Sequence, residues 1–329
     1  MTLSLSLVCG DYDRTRAVLD GRVGIEGCTV TAVALDPEEA FHRAFKGAEF
    51  DVTELSMSSH MMATSRGAAA YVGVPAFVSR VFRHSSIYIR TDKGIRTPED
   101  LRGKRIGVPE YQITAVMWVR GILADEYGVQ PEDIHWRAGG QEEPGRKERS
   151  PLSLPASIDL QRIPEHRTLV ELFEAGELDA LITARVPSCY ARRAPNIDRL
   201  FPDFPTAEAA YFRKTGLFPI MHLIGVRKSL VERHPWLPVS VFKAFEQARR
   251  MTMAEIDQAS ALRVSTPWIV ADVAKARALM GDDYWPYGIP ANRKVLDTMV
   301  RYSVGQHLAA RPIALEELFA PTTFELAAI

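Results

Sequence analysis

Residues 97–108 have the sequence TPEDLRGKRIGV, and this stretch is the strongest local guide to the fold. Its first half combines a hydroxyl cap, a proline at the first helical position and a closing glycine, which predicts a short helical turn. Its second half, Arg105–Val108, predicts a β-strand that follows the turn at once. A helical turn that leads directly into a strand is typical of α/β proteins, so we expect the same alternation elsewhere in the chain.

Strand and helix patterns do alternate on both sides of this stretch. The predicted strands outside it are Leu3–Val8, Gly27–Leu35, Phe50–Val52, Val72–Val78, Ile87–Ile89, Asp179–Thr183 and Met221–Val226. The predicted helices are Asp11–Leu19, Pro37–Phe45, Ser56–Thr64, Thr114–Tyr127, Thr168–Ala175, Val239–Ile256, Val270–Met280 and Asn292–His307. Gly139–Pro155, rich in glycine, proline and charge, predicts a long surface loop, and more loops are expected after Pro187. The alternation favours a parallel α/β architecture.

The composition indicates a globular chain with more than one core. With 329 residues, the chain exceeds what one average core fills, so two lobes are expected. Hydrophobic residues make up 47% and charged residues 25%, which is ordinary for a globular protein. The 40 Lys and Arg residues nearly cancel the 41 Asp and Glu residues. Because no overall charge attracts nucleic acid or an anionic membrane, we expect neither as a partner.

Cysteine usage and the first residues favour a cytoplasmic location. Cys9, Cys28 and Cys189 are far apart and form no CxxC pair, so neither a disulfide framework nor a zinc site is expected. The opening MTLSLSLVCG alternates apolar and polar residues and lacks a basic region, which predicts a strand rather than a signal peptide. The chain also contains no apolar run of membrane-spanning length.

The order of the predicted elements resembles the type II periplasmic-binding-protein fold. Residues 97–108 carry this resemblance together with Glu174–Ile182 (EAGELDALI) and Gly225–Pro235 (GVRKSLVERHP). It implies two α/β lobes around a central cleft, with chain crossings near Ser85–Tyr88 and Pro219–Leu223. The expected first lobe is discontinuous, with residues 1–87 and 221–329, and the second lobe has residues 88–220.

Polar side chains gather where the predicted strands end, which is where ligands bind in open α/β sheets. The candidates for substrate contact are Asp11, Arg14, Glu54, Ser56, Ser58, His60, Arg80, Arg83, Gln112, Thr114, Thr183 and Arg185. Arginine suits bidentate recognition of carboxylates, and the N–H groups of a helix that begins at Ser56 favour an anion. The pattern therefore predicts a small acidic ligand.

Two histidines are the strongest candidates for proton transfer. His84 and His222 lie at the two predicted crossings, which are the expected hinge strands of one cleft. A metal site built from His60, His84 and His222 lacks any HxxxH or CxxC spacing, so we expect no metal. The sequence also lacks a phosphate-binding glycine loop, a nucleophile elbow and a nicotinamide fingerprint, so no cofactor is expected.

Seven segments, spread in order over nearly the whole chain, resemble the 4,5-dihydroxyphthalate decarboxylase family. They are Cys9–Thr15 (CGDYDRT), Phe50–Ser56 (FDVTELS), Phe77–Ser85 (FVSRVFRHS), Gly107–Trp118 (GVPEYQITAVMW), Arg137–Gly140 with Gly145-Arg146, Arg199–Pro202 (RLFP) and Thr215–His222 (TGLFPIMH). Visible departures lie mainly in the loop Lys147–Ile163. The resemblance implies decarboxylation of 4,5-dihydroxyphthalate to 3,4-dihydroxybenzoate (protocatechuate) and CO2, within the breakdown of phthalate.

That reaction requires a general acid over the ring, a partner for the phenol and a cationic clamp for the retained carboxylate. Either His84 or His222 is the expected proton donor, and Glu110 is the alternative donor or the base toward the phenol. The clamp candidates are Arg80, Arg83 and Arg185. Phe77, Phe82, Trp118 and Phe218 are candidates for apolar walls, although core packing is favoured for Trp118.

Two other interpretations stay open. A solute-binding protein without catalysis would need the same cleft, arginines and helix ends. A related enzyme could act on a different aromatic acid. The ligand expected for the enzyme is a small aromatic dicarboxylate, and the apolar helices after Val239 offer a surface for a homo-oligomer.

Overall fold

The computed structural model describes residues 2–326, which form eleven strands and twelve helices. The strands are β1 (Leu3–Cys9), β2 (Cys28–Ala34), β3 (Val52–Ser56), β4 (Tyr71–Arg80), β5 (Ile87–Arg90), β6 (Arg105–Val108), β7 (His135–Ala138), β8 (Leu160–Arg162), β9 (Ala180–Ile182), β10 (Ile197–Arg199) and β11 (Ile220–Arg227). The helices are α1 (Asp13–Leu19), α2 (Pro37–Gly47), α3 (Met57–Ser65), α4 (Thr114–Tyr127), α5 (Leu169–Glu174), α6 (Ser188–Ala191), α7 (Phe204–Thr215), α8 (Lys228–Arg233), α9 (Leu237–Glu255), α10 (Ile269–Met280), α11 (Arg293–Gly305) and α12 (Leu315–Leu318).

These elements divide between two compact units. The first comprises Met1–Arg80, Ile220–Asp297 and Ile313–Ile329, and the second comprises Val81–Pro219 and Thr298–Pro312. The first boundary lies a few residues before the predicted one. The second unit also includes residues 298–312, which the sequence prediction assigned to the first lobe.

The first unit contains a five-stranded sheet in the order β2-β1-β3-β11-β4. β1 runs parallel to β2 and β3, but β11 runs antiparallel to both of its neighbours. The parallel arrangement favoured by the sequence pattern therefore holds for β2, β1 and β3, and β11 departs from it. The reason lies in the chain path: β4 leaves this unit at Arg80, and β11 re-enters it at Ile220, which pairs with Arg80. A strand that starts beside the end of its neighbour must run in the opposite direction.

The second unit contains a six-stranded sheet in the order β10-β5-β9-β6-β7-β8. β6 pairs in parallel with β7 and β9, whereas β5 is antiparallel to β9 and β10. This sheet is therefore mixed as well. Helix α5 packs on it through Leu169, Val170, Leu172 and Phe173, which join a buried cluster with Leu181 of β9.

Local sequence explains where several elements begin and end. Helix α2 starts after Asp36, whose carboxylate accepts a hydrogen bond from the Glu38 N–H, and Pro37 occupies its first turn. Helix α4 ends at Gly128, which adopts a left-handed conformation that glycine tolerates without a Cβ clash. In β1, the alternation of apolar and polar residues buries Leu5 and Leu7 and leaves Ser4 exposed.

Several elements differ from the sequence prediction. β3 was predicted at Phe50–Val52, but it begins at Val52 and continues to Ser56, and all five of its residues are buried. The predicted helical turn in residues 97–104 is a 3₁₀ turn, Pro98–Leu101. Residues after Pro187, predicted as loops, contain α6, β10 and the twelve-residue helix α7. In residues 2–326, no helix is both long enough and apolar enough to cross a membrane.

Candidate active site

The predicted site residues fall into two groups, one in each unit. Asp11, Arg14, Glu54, Ser56, Ser58, His60, Arg80 and His222 lie in the first unit. Arg83, His84, Glu110, Gln112, Thr114, Thr183 and Arg185 lie in the second. The cleft that the sequence predicts between the two lobes stays a prediction.

Glu54, on the central strand β3, is the hub of the first group. Its side chain has no exposed surface, yet three donors reach it. Oε2 accepts a 2.8 Å hydrogen bond from the Gly10 N–H. Oε1 accepts one from the Tyr12 hydroxyl at 3.0 Å and one from His222 Nδ1 at 2.6 Å. Burial raises the pKa of Glu54, but these hydrogen bonds outweigh burial and hold it below its usual range. Glu54 is therefore a buried carboxylate anion.

His222 meets Glu54 because of the register between β11 and β3. His222 lies opposite Ser56, and Glu54 is two residues away on the same face of β3. Since a carboxylate has no proton to donate, Nδ1 of His222 carries the hydrogen in this bond, which fixes the ring tautomer. The edge of the Phe41 ring packs against the imidazole at 4.8 Å between centroids. The His222 side chain is 18% exposed, whereas Glu54 is fully buried, so His222 is the member of this pair that solvent can reach.

A tight turn between β1 and α1 brings Tyr12 to Glu54. The Thr15 hydroxyl donates to the Gly10 carbonyl at 2.6 Å and accepts from the Tyr12 N–H at 2.9 Å. A Cβ at position 10 would collide with the Tyr12 ring, so glycine is required for the close approach. Burial and the neighbouring Glu54 raise the pKa of Tyr12, which therefore stays protonated and donates.

Arg14, one residue into α1, has a strongly constrained guanidinium group. It lies 4.5 Å from the Tyr12 ring centroid and 4.3 Å from that of Trp285. Nε donates to the Val78 carbonyl at 2.6 Å, and Nη1 donates to Asp13 at 2.9 Å. In contrast, Asp11 is exposed and accepts a hydrogen bond from Arg16 at 2.9 Å.

The remaining predicted residues of the first unit lie in its interior. Ser56 precedes α3, and Ser58 and His60 lie within that helix, all of them buried. His60 Nε2 lies 2.8 Å from the Leu318 carbonyl oxygen, and burial lowers the pKa of this histidine. Arg80 donates to Asn292 and, at 2.7 Å, to the Pro286 carbonyl, and burial lowers its pKa to about 9. His60 and Arg80 thus support the fold of this unit.

In the second unit, Glu110 joins the end of β6 to the long loop that follows β7. Its Oε1 accepts from Arg146 Nε at 3.0 Å and from Arg146 Nη2 at 2.7 Å, while Oε2 accepts from the Arg149 N–H at 2.9 Å. The Glu110 side chain is only 4% exposed. Both carboxylate oxygens are therefore engaged by the loop.

Gln112 and Thr183 also tie this loop to the sheet. Gln112 Nε2 donates to Glu148 at 2.8 Å and to the Ser150 carbonyl at 3.1 Å. The Thr183 hydroxyl donates to Gln141. Thr114 is buried at the start of α4, whereas Arg185 is exposed. The predicted residues of this unit therefore gather mainly at the loop that joins β7 to β8.

His84 lies in an apolar part of the second unit. Its ring packs against Phe201 and Tyr211, and its Nδ1 has no hydrogen-bond partner among the residues that the structure describes. Burial lowers the pKa of His84 to about 4, so the ring is neutral near pH 7. The adjacent Arg83 is buried too, and burial lowers its pKa to about 10.

The predicted aromatic walls have distinct surroundings. Trp118 is fully buried against Tyr302, which confirms its assignment to the core. Phe77 is buried too and meets Phe319 edge-on. Phe82 and Phe218 stack on each other at 4.7 Å between ring centroids.

Sequence reasoning missed Tyr12, Trp285, Arg146 and Arg149 as members of these two networks. Tyr12 and Arg146 lie in segments already singled out by the family resemblance, but no spacing in the sequence indicates their partners. Within residues 2–326, no group of three or more His, Cys, Asp or Glu side chains is arranged to hold a metal ion.

Comparison with known proteins supplies the context for this geometry. A Comamonas testosteroni protein named 4,5-dihydroxyphthalate decarboxylase is 46% identical over 323 residues, which cover 98% of each chain. A Pseudomonas putida protein of the same name is 46% identical over 211 residues, which cover 64% of this chain and 82% of that protein. No family model matches the chain.

Solved structures agree on the fold. The periplasmic aliphatic sulphonate binding protein of Escherichia coli aligns with a TM-score of 0.54 and 11% identity, covering 98% of this chain and 99% of that one. A putative periplasmic sulfonate-binding protein of Methylobacillus flagellatus KT gives 0.53 and 11%, covering 98% and 92%. The mixed α/β, two-sheet architecture is that of the type II periplasmic binding proteins, as the sequence predicted. At this identity the likeness concerns the fold alone.

Proposed function

This chain belongs to the 4,5-dihydroxyphthalate decarboxylase family, and on that premise we propose that it is a carboxy-lyase that converts 4,5-dihydroxyphthalate into protocatechuate and CO2. The observation that carries the proposal is the 46% identity over 98% of both chains. The buried Glu54–His222 pair supports it, because a carboxylate-bound imidazole is suited to moving a proton.

The reaction has one central difficulty, which is the fate of an electron pair. Breaking the bond between the ring and the carboxylate would leave that pair on an aryl carbon. A proton delivered to this carbon forms a new C–H bond as CO2 departs, and no free aryl anion develops. The hydroxyl para to the leaving carboxylate donates electron density to the ring. One proton is consumed per turnover, so a general acid that is refilled from solvent is required.

His222 is the best placed residue for this acid. Its Nδ1 is committed to Glu54, so Nε2 is the nitrogen that exchanges a proton with the substrate. Glu54 has no exposed surface and acts through His222 by fixing its tautomer and the orientation of its ring. His84 is less suited because burial holds its pKa near 4, which leaves no proton to give at neutral pH.

Glu110 supports a different role from the one predicted for it. Both oxygens of this carboxylate already accept hydrogen bonds, three in all, from Arg146 and Arg149, so neither oxygen is open to a substrate phenol. We therefore assign Glu110 to holding the loop that carries these two arginines. The clamp roles of Arg80, Arg83 and Arg185 remain predictions, as do the cytoplasmic location and the homo-oligomer.

The direct test is incubation of the purified, chelator-treated protein with 4,5-dihydroxyphthalate, with protocatechuate followed by chromatography. We expect product to form at the same rate with and without chelator. Loss of activity on chelation would contradict a reaction without metal. Absence of product, together with a ligand-dependent rise in melting temperature, would favour the solute-binding alternative.

A His222→Gln variant tests the assigned acid. The expected result is a fall in kcat of about 10²-fold or more, within the range that general acid catalysis usually supplies, with little change in substrate binding. The matched control is His166→Gln, which changes an exposed histidine. A fully active His222→Gln protein would refute the assignment.

A further inference from the structure

The guanidinium group of Arg14 is fixed by two aromatic rings and two hydrogen bonds. The Tyr12 and Trp285 rings both lie within 4.5 Å of its guanidinium carbon. Hydrogen bonds to the Val78 carbonyl and to Asp13 fix two of its nitrogens. Trp285 is itself held by a 3.0 Å hydrogen bond from Nε1 to the Phe77 carbonyl. Because the group is already ordered, binding an anion would cost little further side-chain entropy.

The Arg14 guanidinium group also has N–H donors beyond those used in these two hydrogen bonds. Arginine carries five N–H donors, and only Nε and Nη1 donate in the contacts described above. Nη2 makes no hydrogen bond to any residue in the described part of the chain. The side chain is 18% exposed, so its outer end remains accessible. A carboxylate can be bound there by N–H groups of Nη1 and Nη2 together, the end-on arrangement that arginine forms readily.

Tyr12 links this guanidinium to the proton-transfer pair. Its ring faces Arg14, and its hydroxyl donates to Glu54 Oε1, the oxygen that also accepts from His222 Nδ1. Tyr12 thus contacts both the cationic Arg14 and the carboxylate that holds His222, all within the first unit. This arrangement matches a substrate that combines a carboxylate with a ring carbon to be protonated.

We propose that Arg14 binds the carboxylate that the substrate retains, with Tyr12 and Trp285 as positioning residues. The inference rests on the proposed decarboxylase function. The retained carboxylate is the better partner because its charge is unchanged through the reaction. A cation on the leaving carboxylate would stabilise a charge that disappears as neutral CO2 forms, and would therefore slow the reaction.

This assignment predicts a particular kinetic pattern. Binding that is equal in the ground state and the transition state affects KM rather than kcat. Arg14→Ala should therefore raise KM for 4,5-dihydroxyphthalate at least about tenfold and change kcat by less than about threefold. Arg14→Lys keeps the charge but loses the planar fork, so it should lie in between. Trp285→Phe should weaken binding by a few fold, because the guanidinium loses part of its support.

The deciding measurement is binding of two inert probes by calorimetry. Phthalate carries the two carboxylates without hydroxyls, and catechol carries the hydroxyls without carboxylates. Relative to wild type, Arg14→Ala should lose at least about tenfold in phthalate affinity and keep its catechol affinity. The control, Arg22→Ala, removes an exposed arginine paired with Asp20 and should change neither.

Each alternative outcome is informative. Equal phthalate affinity in wild type and Arg14→Ala would overturn the proposal, as would a fall in kcat with KM unchanged. If Arg14→Ala fails to fold, the more conservative Arg14→Lys decides by the same readout. Because phthalate binding needs no turnover, the test separates failure of this inference from failure of the proposed reaction. Wild-type protein that does not bind phthalate at all would refute the inference directly.

Discussion

Nδ1 of His222 donates a 2.6 Å hydrogen bond to Oε1 of Glu54. This carboxylate lies on the central strand of its sheet and has no exposed surface. A buried ionised carboxylate is costly unless its oxygens are fully hydrogen-bonded. Here the Gly10 N–H and the Tyr12 hydroxyl supply the two further donors. The network therefore stabilises one protonation state of Glu54 and one tautomer of His222 together.

Replacing Glu54 with glutamine should reduce kcat by about 10- to 100-fold, a part of what general acid catalysis usually contributes. Glutamine has a single oxygen, so its NH2 group must face a donor, either the Gly10 N–H or His222 Nδ1. If the NH2 group faces His222, the imidazole loses its fixed tautomer. If it faces Gly10, a buried N–H group loses its acceptor. Steady-state kinetics should be measured alongside the melting temperature.

The matched control is Asp51→Asn, which makes the same acid-to-amide change just before β3. Asp51 accepts hydrogen bonds from Ser6 and has no contact with His222. We expect this variant to lose stability rather than kcat. A folded Glu54→Gln protein with wild-type kcat would rule out a role for Glu54 in proton transfer.

Gly10→Ala should impair turnover through Tyr12. The added Cβ would occupy the space of the Tyr12 ring, which must move away and release its hydrogen bond to Glu54. We therefore expect kcat to fall by a factor similar to that of Tyr12→Phe, which deletes the hydroxyl alone. Gly24→Ala is the control, since no atom lies within 4 Å of a Cβ added there. Full activity of both Gly10→Ala and Tyr12→Phe would exclude Tyr12 from the working network.

Elements with a strong local pattern were predicted from the sequence with little error. The predicted bounds of α4 and β6 are those of the structure, and β11 is longer by one residue at each end. Helix α7 was missed because its sequence, FPTAEAAYFRKT, buries only Tyr211. Such a helix has no apolar periodicity to recognise. Short strands such as β10 were missed because their stability comes from distant pairing partners.

The candidate site was predicted in part. The sequence indicated Glu54, Arg14 and His222 as residues near strand ends, but not their mutual contacts. Glu54 and His222 are 168 residues apart, and their contact depends on the register between β3 and β11. A one-residue shift would turn His222 to the other face of the sheet. No local pattern encodes that register, and the same holds for the Glu110–Arg146 contact between two loops.

His84 should make stability depend on pH in the mildly acidic range. Its pKa is about 4 in the folded chain and about 6.5 when unfolded, so the unfolded state binds more protons between these values. The neutral, buried ring makes its full contribution to the free energy of unfolding above about pH 6.5. That contribution is lost as the pH falls toward 4, and the total loss is about 3 kcal/mol.

Urea unfolding of wild type and His84→Gln at pH 7.0 and about pH 5 measures this term. We expect the wild type to lose more unfolding free energy between the two pH values than the variant. His166→Gln, at an exposed histidine, should behave like wild type. Parallel losses in all three proteins would show that His84 is not protonated on unfolding.

Glu110→Gln should weaken the attachment of the loop that follows β7, while the sheet of the second unit stays folded. The carboxylate accepts hydrogen bonds from the Arg146 side chain and the Arg149 backbone, and hydrogen bonds to charged groups contribute about 1.5–3 kcal/mol each. Trypsin cleaves after arginine and lysine, so cleavage after Arg146, Lys147 and Arg149 reports opening of this segment. Because each 1.4 kcal/mol corresponds to a factor of ten, cleavage should accelerate by about tenfold or more.

The control for this prediction is Glu165→Gln. Glu165 follows β8, is 71% exposed and lies 3.7 Å from Lys147 of this loop, so the variant makes the same acid-to-amide change at a partner of the loop without breaking a buried contact. An exposed pair of this kind contributes little to stability, and the cleavage rate should stay within about twofold of wild type. Equal rates for Glu110→Gln and Glu165→Gln would mean that charge alone controls access to the loop, and that Glu110 does not hold it.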